Sequence, residues 1–383
     1  LLVLLANASP SLIPDESAAS DSILFLEKLW NIRVAFYLFA FTALFYYAPQ
    51  LTIRFGIQFK YVQISLILFV LSYLTYHKYI PVIFGYLAGL SVSAELLIPL
   101  GISYFTFKLI HYSIENGRGN FKPHTFSQFF TYIYLFPIYT AGPIERFDHF
   151  QNNWTSTQRK EDLIEGGTRI VYGLIKKFFV SAILLAPLLA GNDASSILSR
   201  IDSIEVYKVW GFLLVSYLLI YIDFSAYSDI AIGSSRMMGF KIMENFNWPI
   251  FATNISMLWK RWHMTLSGWC QSYVYMPTIG ITRNPYLAVI LTFLAVGLWH
   301  GGAYSWIAWG LYQGAGVLVY VIWSRFKMRR KIRIPANFLT NNIARIITNC
   351  WMAGSFAFTV TISHGDFRDV MSALRLLGRC FGI

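Results

Sequence analysis

Two histidines in otherwise uncharged surroundings, His300 in GLWHGG and His263 in LWKRWHMTLSGW, are the side chains best suited to acid–base chemistry in this sequence. An apolar frame lowers the dielectric, so a neutral imidazole there can accept a proton from a hydroxyl. Ionisable groups inside apolar segments cost roughly 2.5–3.5 kcal/mol at a helix centre and persist where they have a partner or a job. Besides the histidines, those that qualify are Lys260 and Arg261, with Asp223 and Asp229 in YIDFSAYSDIAIG.

His300 lies between Trp299 and Gly301-Gly302. The glycines let a substrate or another helix approach the backbone, and the indole supplies a rigid wall. A packed histidine bonded to a carbonyl would read the same way. Around His263 the period is roughly helical: His263 and Ser267 share one face, Trp262 and Trp269 another. An interfacial helix, with Trp259, Trp262 and Trp269 at headgroup depth and Lys260 and Arg261 snorkelling to phosphate, explains the tryptophans and the bases. It explains His263 less well, and the two histidines together suggest a shared polar pocket. Asp223 and Asp229 are six apart and do not share a face of a regular helix, so they are expected to pair with Arg261, Arg236 or backbone groups. No GxSxG elbow, HExxH helix, P-loop or GxGxxG occurs. Cys270, Cys350 and Cys380 are too few and scattered for a disulfide framework or a metal site.

The elements that hold these residues must be membrane helices. Of the 383 residues, 56% are apolar and only 13% charged, about half the charge of a soluble domain. The balance of 31 Lys plus Arg against 19 Asp plus Glu gives +12, but the charges sit in short clusters between long uncharged runs rather than on one solvated face, which excludes nucleic acid. A spanning helix needs about 20 mostly apolar residues. Val34 to Ile53 is such a run, Ser127 to Ile144, Phe178 to Asn192, Val209 to Ile222 and Ile346 to Ser363 are similar or somewhat shorter, and Asn284 to Ser324 is long enough for two spans. The pattern predicts an all-α, polytopic transmembrane protein of roughly nine to twelve membrane-embedded helices. No linker or fixed-period repeat divides it, so one domain over residues 1–383 is expected.

The densest basic cluster, Arg325 to Arg333, directly follows a span and is expected in the cytoplasm. With Arg283 at the cytoplasmic edge of the preceding span, His300 lies about 24 Å along the helix, in the outer half of the membrane. Leu1 to Ala8 lacks a basic region and reads as the end of a span that begins upstream. The absence of an initiator Met agrees with a processed or incomplete chain. Glu145 to Arg169 reads as an extramembrane loop with a short helix opening near Gln158, and Asn153-Trp154-Thr155 is a formal sequon of little weight.

NFNWPIFATNISMLWKRWHMTLSGW, YVYMP and GLWHGG, preceded in order by GISYFTFKLIHYSIENGRG, AGPIERF and YIDFSAYSDIAIGSSRMMGF, resemble the bacterial membrane-bound O-acyltransferase family, in its alginate and D-alanyl-lipoteichoic acid branch. The likeness runs from about Gly101 to Tyr320. It implies helices around a central funnel or tunnel, with His300 catalytic and His263 its companion. His300 would activate an acceptor hydroxyl against a thioester carbonyl, and His263 would orient the donor or stabilise developing charge. It further implies a substrate- and donor-binding set of Trp299, Arg261, Trp262, Ser267, Trp269, Asn245 and Asp229, with no metal and no resident cofactor. Acetyl-CoA is the expected donor and an exported polysaccharide or envelope glycan the acceptor. The likeness also implies a periplasmic acetyltransferase partner and a bacterial inner-membrane location. After RWHMTLS the family reads T-W-[FL]-R-D-Y; here Cys270-Gln271 replaces the Arg-Asp pair, so donor contacts or partner docking are expected to differ. The segment from Met276 to Asn284 is short for the family. DFRDVMSALRLLG inclines the likeness to the alginate type; D-alanyl transfer to teichoic acid is the alternative. A transporter or flippase is the rival from another class, and would be expected to show inverted repeats, which are not seen.

Overall fold

The computed structural model describes residues 17–80, 100–154, 159–363 and 366–383, with side chains from Arg33 onward except Ile53. Leu1 to Ala8 and Thr155 of the sequon lie outside the described residues. Sixteen α-helices follow one another in these segments. The first group is α1 (Ser17–Phe55), α2 (Phe59–Lys78), α3 (Ile102–Gly117), α4 (Phe126–Tyr134) and α5 (Phe147–Asn153). Next come α6 (Lys160–Leu174), which continues through π-helical turns over Ile175–Leu185, then α7 (Ala194–Ser199) and α8 (Val206–Met237). Short helices α9 (Ile255–Trp259), α10 (Met264–Cys270) and α11 (Met276–Thr282) lead into α12 (Pro285–His300) and α13 (Tyr304–Arg329). The chain closes with α14 (Phe338–Ser355), α15 (Ala357–Val360) and α16 (Phe367–Cys380). Among the described residues the only β pairing is one isolated bridge between Trp154 and Phe240.

Among the described residues, six helical stretches are long and apolar enough to cross a bilayer: Arg33–Thr52, Phe59–Lys78, Lys160–Ser199, Val206–Met237, Tyr304–Arg329 and Phe338–Val360. The protein is therefore an all-helical, multi-pass membrane protein. The shorter apolar helix α12 pairs with α13, so the long run from Asn284 does form two helices. The run from Ser127 to Ile144 does not span. Its helix ends at Tyr134, and nine residues rise only about 14 Å. Pro137 opens a 3₁₀ turn, and the chain then folds back so closely that a Cβ on Gly142 would lie 2.4 Å from the Ile138 Cα. The freed carbonyls at the end of α4 are met by Lys108 of α3, whose Nζ donates to Tyr132 O at 3.0 Å and Ile133 O at 3.3 Å. Lys108 is 1% exposed.

One apolar cluster joins α8 to α10 and α12 to α16; another joins α1 to α5, and Trp269 packs against both. α12 and α13 meet backbone to backbone: a Cβ on Gly297 would lie 2.4 Å from Trp306 O, and one on Gly310 2.5 Å from Phe293 O. Small residues at such a crossing let membrane helices pack through their main chains. That contact sets where His300 and the tryptophans of α13 stand relative to each other.

Candidate active site

The RWH stretch is not one helix. α9 stops at Trp259, Lys260 to Trp262 turn, and His263 adopts a left-handed backbone (φ 42°) as the residue before α10. The expected common face of His263 and Ser267 is thus replaced by a bend. Two main-chain bonds clamp it to the preceding loop: Met264 N donates to Asn245 O at 2.8 Å and Asn247 N to Arg261 O at 2.9 Å.

A polar chain fixes the His263 ring. Ile144 N donates to Thr265 Oγ1 at 3.0 Å, so the Thr265 hydroxyl must give its own proton to Asn245 Oδ1, 2.9 Å away. Asn245 Nδ2 lies 3.2 Å from Ser228 Oγ. Asn245 Oδ1 therefore accepts from His263 Nδ1–H at 3.0 Å. His263 is left with a lone pair on Nε2, which is buried and has no partner among the described residues.

His300 ends α12. Its ring stacks on Trp306 (centroids 4.5 Å, 13° between planes) and meets Trp309 edge-on at 5.1 Å. A Cβ on Gly301 would lie 2.8 Å from the Trp306 ring, so only glycine lets that indole slide under the histidine. Neither ring nitrogen of His300 bonds to a described residue. Trp299 sits between the histidines, 5.9 Å from the His263 ring and 4.6 Å from that of His300.

Both histidines line one cavity of about 360 Å³, walled by Trp259, Trp262, Trp306 and Trp309. It extends past the middle of α8 to Leu189, Thr359 and Val360. Trp259 and Leu266 also line a second cavity, of about 280 Å³, which continues along α12 and α13 towards Val289 and Val321 and contains Ser256, Lys260, Ser267, Cys270 and Gln271. The indole N–H of Trp259 is buried without a partner among the described residues.

The structure thus brings His300, His263, Trp262, Trp299 and Asn245 together. Ser267 faces the second cavity. Trp269 lines neither; its indole N–H donates to Phe107 O at 3.1 Å, with Phe107 packed on its ring. Arg261 also lines neither cavity. Asp229 lies outside both cavities and is held by two cations, Arg169 and Lys176, each at 2.5 Å. Asp223 pairs with Lys177. Arg236 pairs instead with Asp162 at 2.9 Å and Glu165 at 3.1 Å. The expected partners Arg261 and Arg236 are therefore corrected: α6 and its π-helical continuation run alongside α8 and present Arg169, Lys176 and Lys177 to it.

The sequence reading missed Trp306 and Trp309, and it missed a cap on α12. Lys78 Nζ donates to Trp299 O, and Tyr79 Oη to Leu298 O. These carbonyls belong to the last turn of α12, where no intrahelical donor exists. The only sequence sign was a lysine closing an apolar run, which topology alone accounts for.

Residues 24–363 match the family described as MBOAT, membrane-bound O-acyltransferase. The chain belongs to this family. It is 36% identical over 228 residues to the Pseudomonas aeruginosa protein named "Probable alginate O-acetylase AlgI", covering 58% of this chain and 42% of that one. It is 32% identical over 251 residues to the teichoic acid D-alanyltransferase of Streptococcus thermophilus, covering 61% and 59%. It is 28% identical over 277 residues to the peptidoglycan O-acetyltransferase of Helicobacter pylori, covering 63% and 51%. The chain spans less than half the length of the alginate relative.

Proposed function

We propose that this MBOAT chain is a membrane-embedded O-acyltransferase that moves an acyl group, acetyl by preference, from a thioester donor to a hydroxyl of an exported polysaccharide or envelope glycan. The observation that carries the reading is the cavity shared by His263 and His300, whose lining is mostly apolar and in which the His263 Nε2 lone pair and both His300 ring nitrogens have no partner among the described residues. His300 takes the proton of the acceptor hydroxyl as that oxygen bonds to the thioester carbonyl carbon. The C–S bond then breaks, and the departing thiolate takes the proton back from the imidazolium. With Nδ1–H committed to Asn245, His263 presents only an acceptor. It can orient the acceptor hydroxyl or an N–H of the donor; it cannot stabilise an oxyanion in this tautomer. The unpartnered Trp259 N–H is a donor of the kind an acyl carbonyl needs.

Three of the relatives are named for alginate, teichoic acid and peptidoglycan. They support a glycan acceptor; a bacterial inner-membrane location rests on the family likeness, and a donor on the basic-loop side on the positive-inside bias. Acetyl-CoA as that donor, and a separate periplasmic acetyltransferase as partner, rest on the alginate-type likeness.

The test supplies purified protein with labelled acetyl-CoA and, in parallel, a labelled D-alanyl thioester, together with alginate-type and teichoic acceptors. Wild type should transfer acetyl, and folded His300→Ala should lose about 10²–10⁴-fold in kcat. An equally active His300→Ala would overturn the assignment to this histidine. Preference for the D-alanyl thioester would select the alternative donor. Transport of a solute into vesicles without any transfer would select the transporter reading.

A further inference from the structure

α13 and α14 touch at one end and part at the other. Gly316 of α13 lies under the Trp351 ring, where a Cβ would be 2.4 Å from the indole nitrogen, and Tyr312 stacks on Trp351 at 4.2 Å. From that crossing the helices splay towards the loop that joins them. They leave a wedge of about 580 Å³, closed on a third side by Thr253 to Ile255. Its walls are Val319 and Trp323 on α13 and Ala344, Ile347 and Trp351 on α14. Val319 and Ile347 are 63% and 65% exposed, so no described protein segment fills the groove. From Trp351 to Thr340 the wedge is about 16 Å long, close to the ~15 Å of one leaflet's hydrocarbon.

The mouth is strongly cationic. Lys327 lines it directly. Arg329, Arg330, Lys331 and Arg333 follow within the same turn and loop, whereas Arg325, on the preceding turn, donates to Tyr286 Oη of α12 at 2.8 Å; the chain carries no Asp or Glu from Ser324 to Ser363. None of the ion pairs among the described residues uses these cations. An apolar slot one leaflet long, open to lipid and ending at unneutralised lysine and arginine, matches one ligand chemistry: an acyl chain with a phosphate at its end and a net negative charge.

We propose that the wedge between α13 and α14 is a binding site for an anionic phospholipid, with one acyl chain along Val319, Ala344 and Ile347 and its phosphate at Lys327. The site is separate from the histidine cavity, and it does not depend on the acyltransferase reading. It bears on that cavity mechanically: α13 carries Trp306 and Trp309, and α14 carries Met352, all of which line the chamber. A lipid seated in the wedge braces the two helices that wall it.

The experiment is native mass spectrometry of the purified chain titrated with phosphatidylglycerol or phosphatidylcholine of matched acyl chains. Wild type should retain phosphatidylglycerol at least fivefold more tightly. Lys327→Gln should remove about fivefold of that preference, the effect of one juxtamembrane charge, and leave phosphatidylcholine unchanged. Val319→Trp fills the slot from an exposed position without touching the core, and should weaken retention of both lipids. Inorganic phosphate should not displace the lipid. Equal retention of the two lipids by wild type, full preference in Lys327→Gln, undiminished phosphatidylglycerol in monodisperse Val319→Trp, or displacement by phosphate would each overturn the proposal.

Discussion

His263 holds a left-handed backbone that a side chain with a Cβ adopts at a cost of about 1–3 kcal/mol, so the surroundings must over-determine it. The clamp from Asn245 does this twice, through its carbonyl oxygen to Met264 N and through its side chain to the imidazole. The same residue thus holds the bend with its main chain and selects the tautomer with its side chain. If the lone pair on Nε2 is what the reaction uses, Asn245 acts only through His263, and the two residues form one unit. Asn245→Ala and His263→Ala should then each lower kcat, and the double variant should be no slower than His263→Ala, a coupling of about 0.5–3 kcal/mol. Full additivity of the two losses in a steady-state assay would show that Asn245 serves something other than this ring. Asp229 illustrates the opposite case: its carboxylate is consumed by Arg169 and Lys176, and nothing in its position outside the cavities gives it contact with a reactant.

At the level of elements, the position of His300 depends on the α12–α13 crossing and on the cap of α12. Gly297→Ala places a methyl against the Trp306 carbonyl, a backbone atom that cannot swing away. Overpacking of this kind costs about 1–3 kcal/mol, so thermal unfolding in detergent should shift down and kcat should fall with it. Gly268→Ala is the control: a helical glycine with nothing within 4 Å of its Cβ position, expected to be neutral or slightly stabilising. Lys78→Met leaves the Trp299 carbonyl without its donor, at about 1–3 kcal/mol for a buried orphan group. Lys78→Arg should recover part of both stability and kcat; equal loss in the two variants would mean that chain packing, not the donated bond, matters. Uncharged run length found most spans, and charged ends bracketed α12 and α13 within a few residues. Run length failed at Ser127 to Ile144, because hydropathy does not register that Pro137 stops a helix and that Lys108, from another element, can satisfy the broken end. Helical period likewise misread Lys260 to His263, where long-range bonds from Asn245 and Asn247 override local preference. Which cations meet Asp223 and Asp229 was illegible for the same reason: pairing partners 46 to 60 residues away are fixed by how α6 lies on α8.

Across the whole molecule, the two cavities lie in series on either side of Trp259 and Leu266. One runs from the histidines to Leu189 and Thr359, at the end of the bundle opposite the basic loop between α13 and α14; the other runs back along α12 towards Pro285. If the basic loop is cytoplasmic, as the positive-inside bias predicts, the histidine chamber is reached from outside and the second cavity from inside. Donor and acceptor would then approach from opposite faces, with Trp259 and Leu266 as the partition that the acyl end of the donor must pass to reach His300. Single cysteines test this directly in a background from which Cys270, Cys350 and Cys380 have been removed. Thr359→Cys should react with a membrane-impermeant maleimide added outside intact cells. Ser256→Cys should react only when the reagent reaches the cytoplasmic face. Labelling of Ser256→Cys from outside, or of Thr359→Cys solely from inside, would reverse the orientation and with it the direction of acyl transfer. Labelling of both from one side would mean that the two cavities form one open passage, a geometry suited to a transporter rather than to a transferase that keeps its reactants apart.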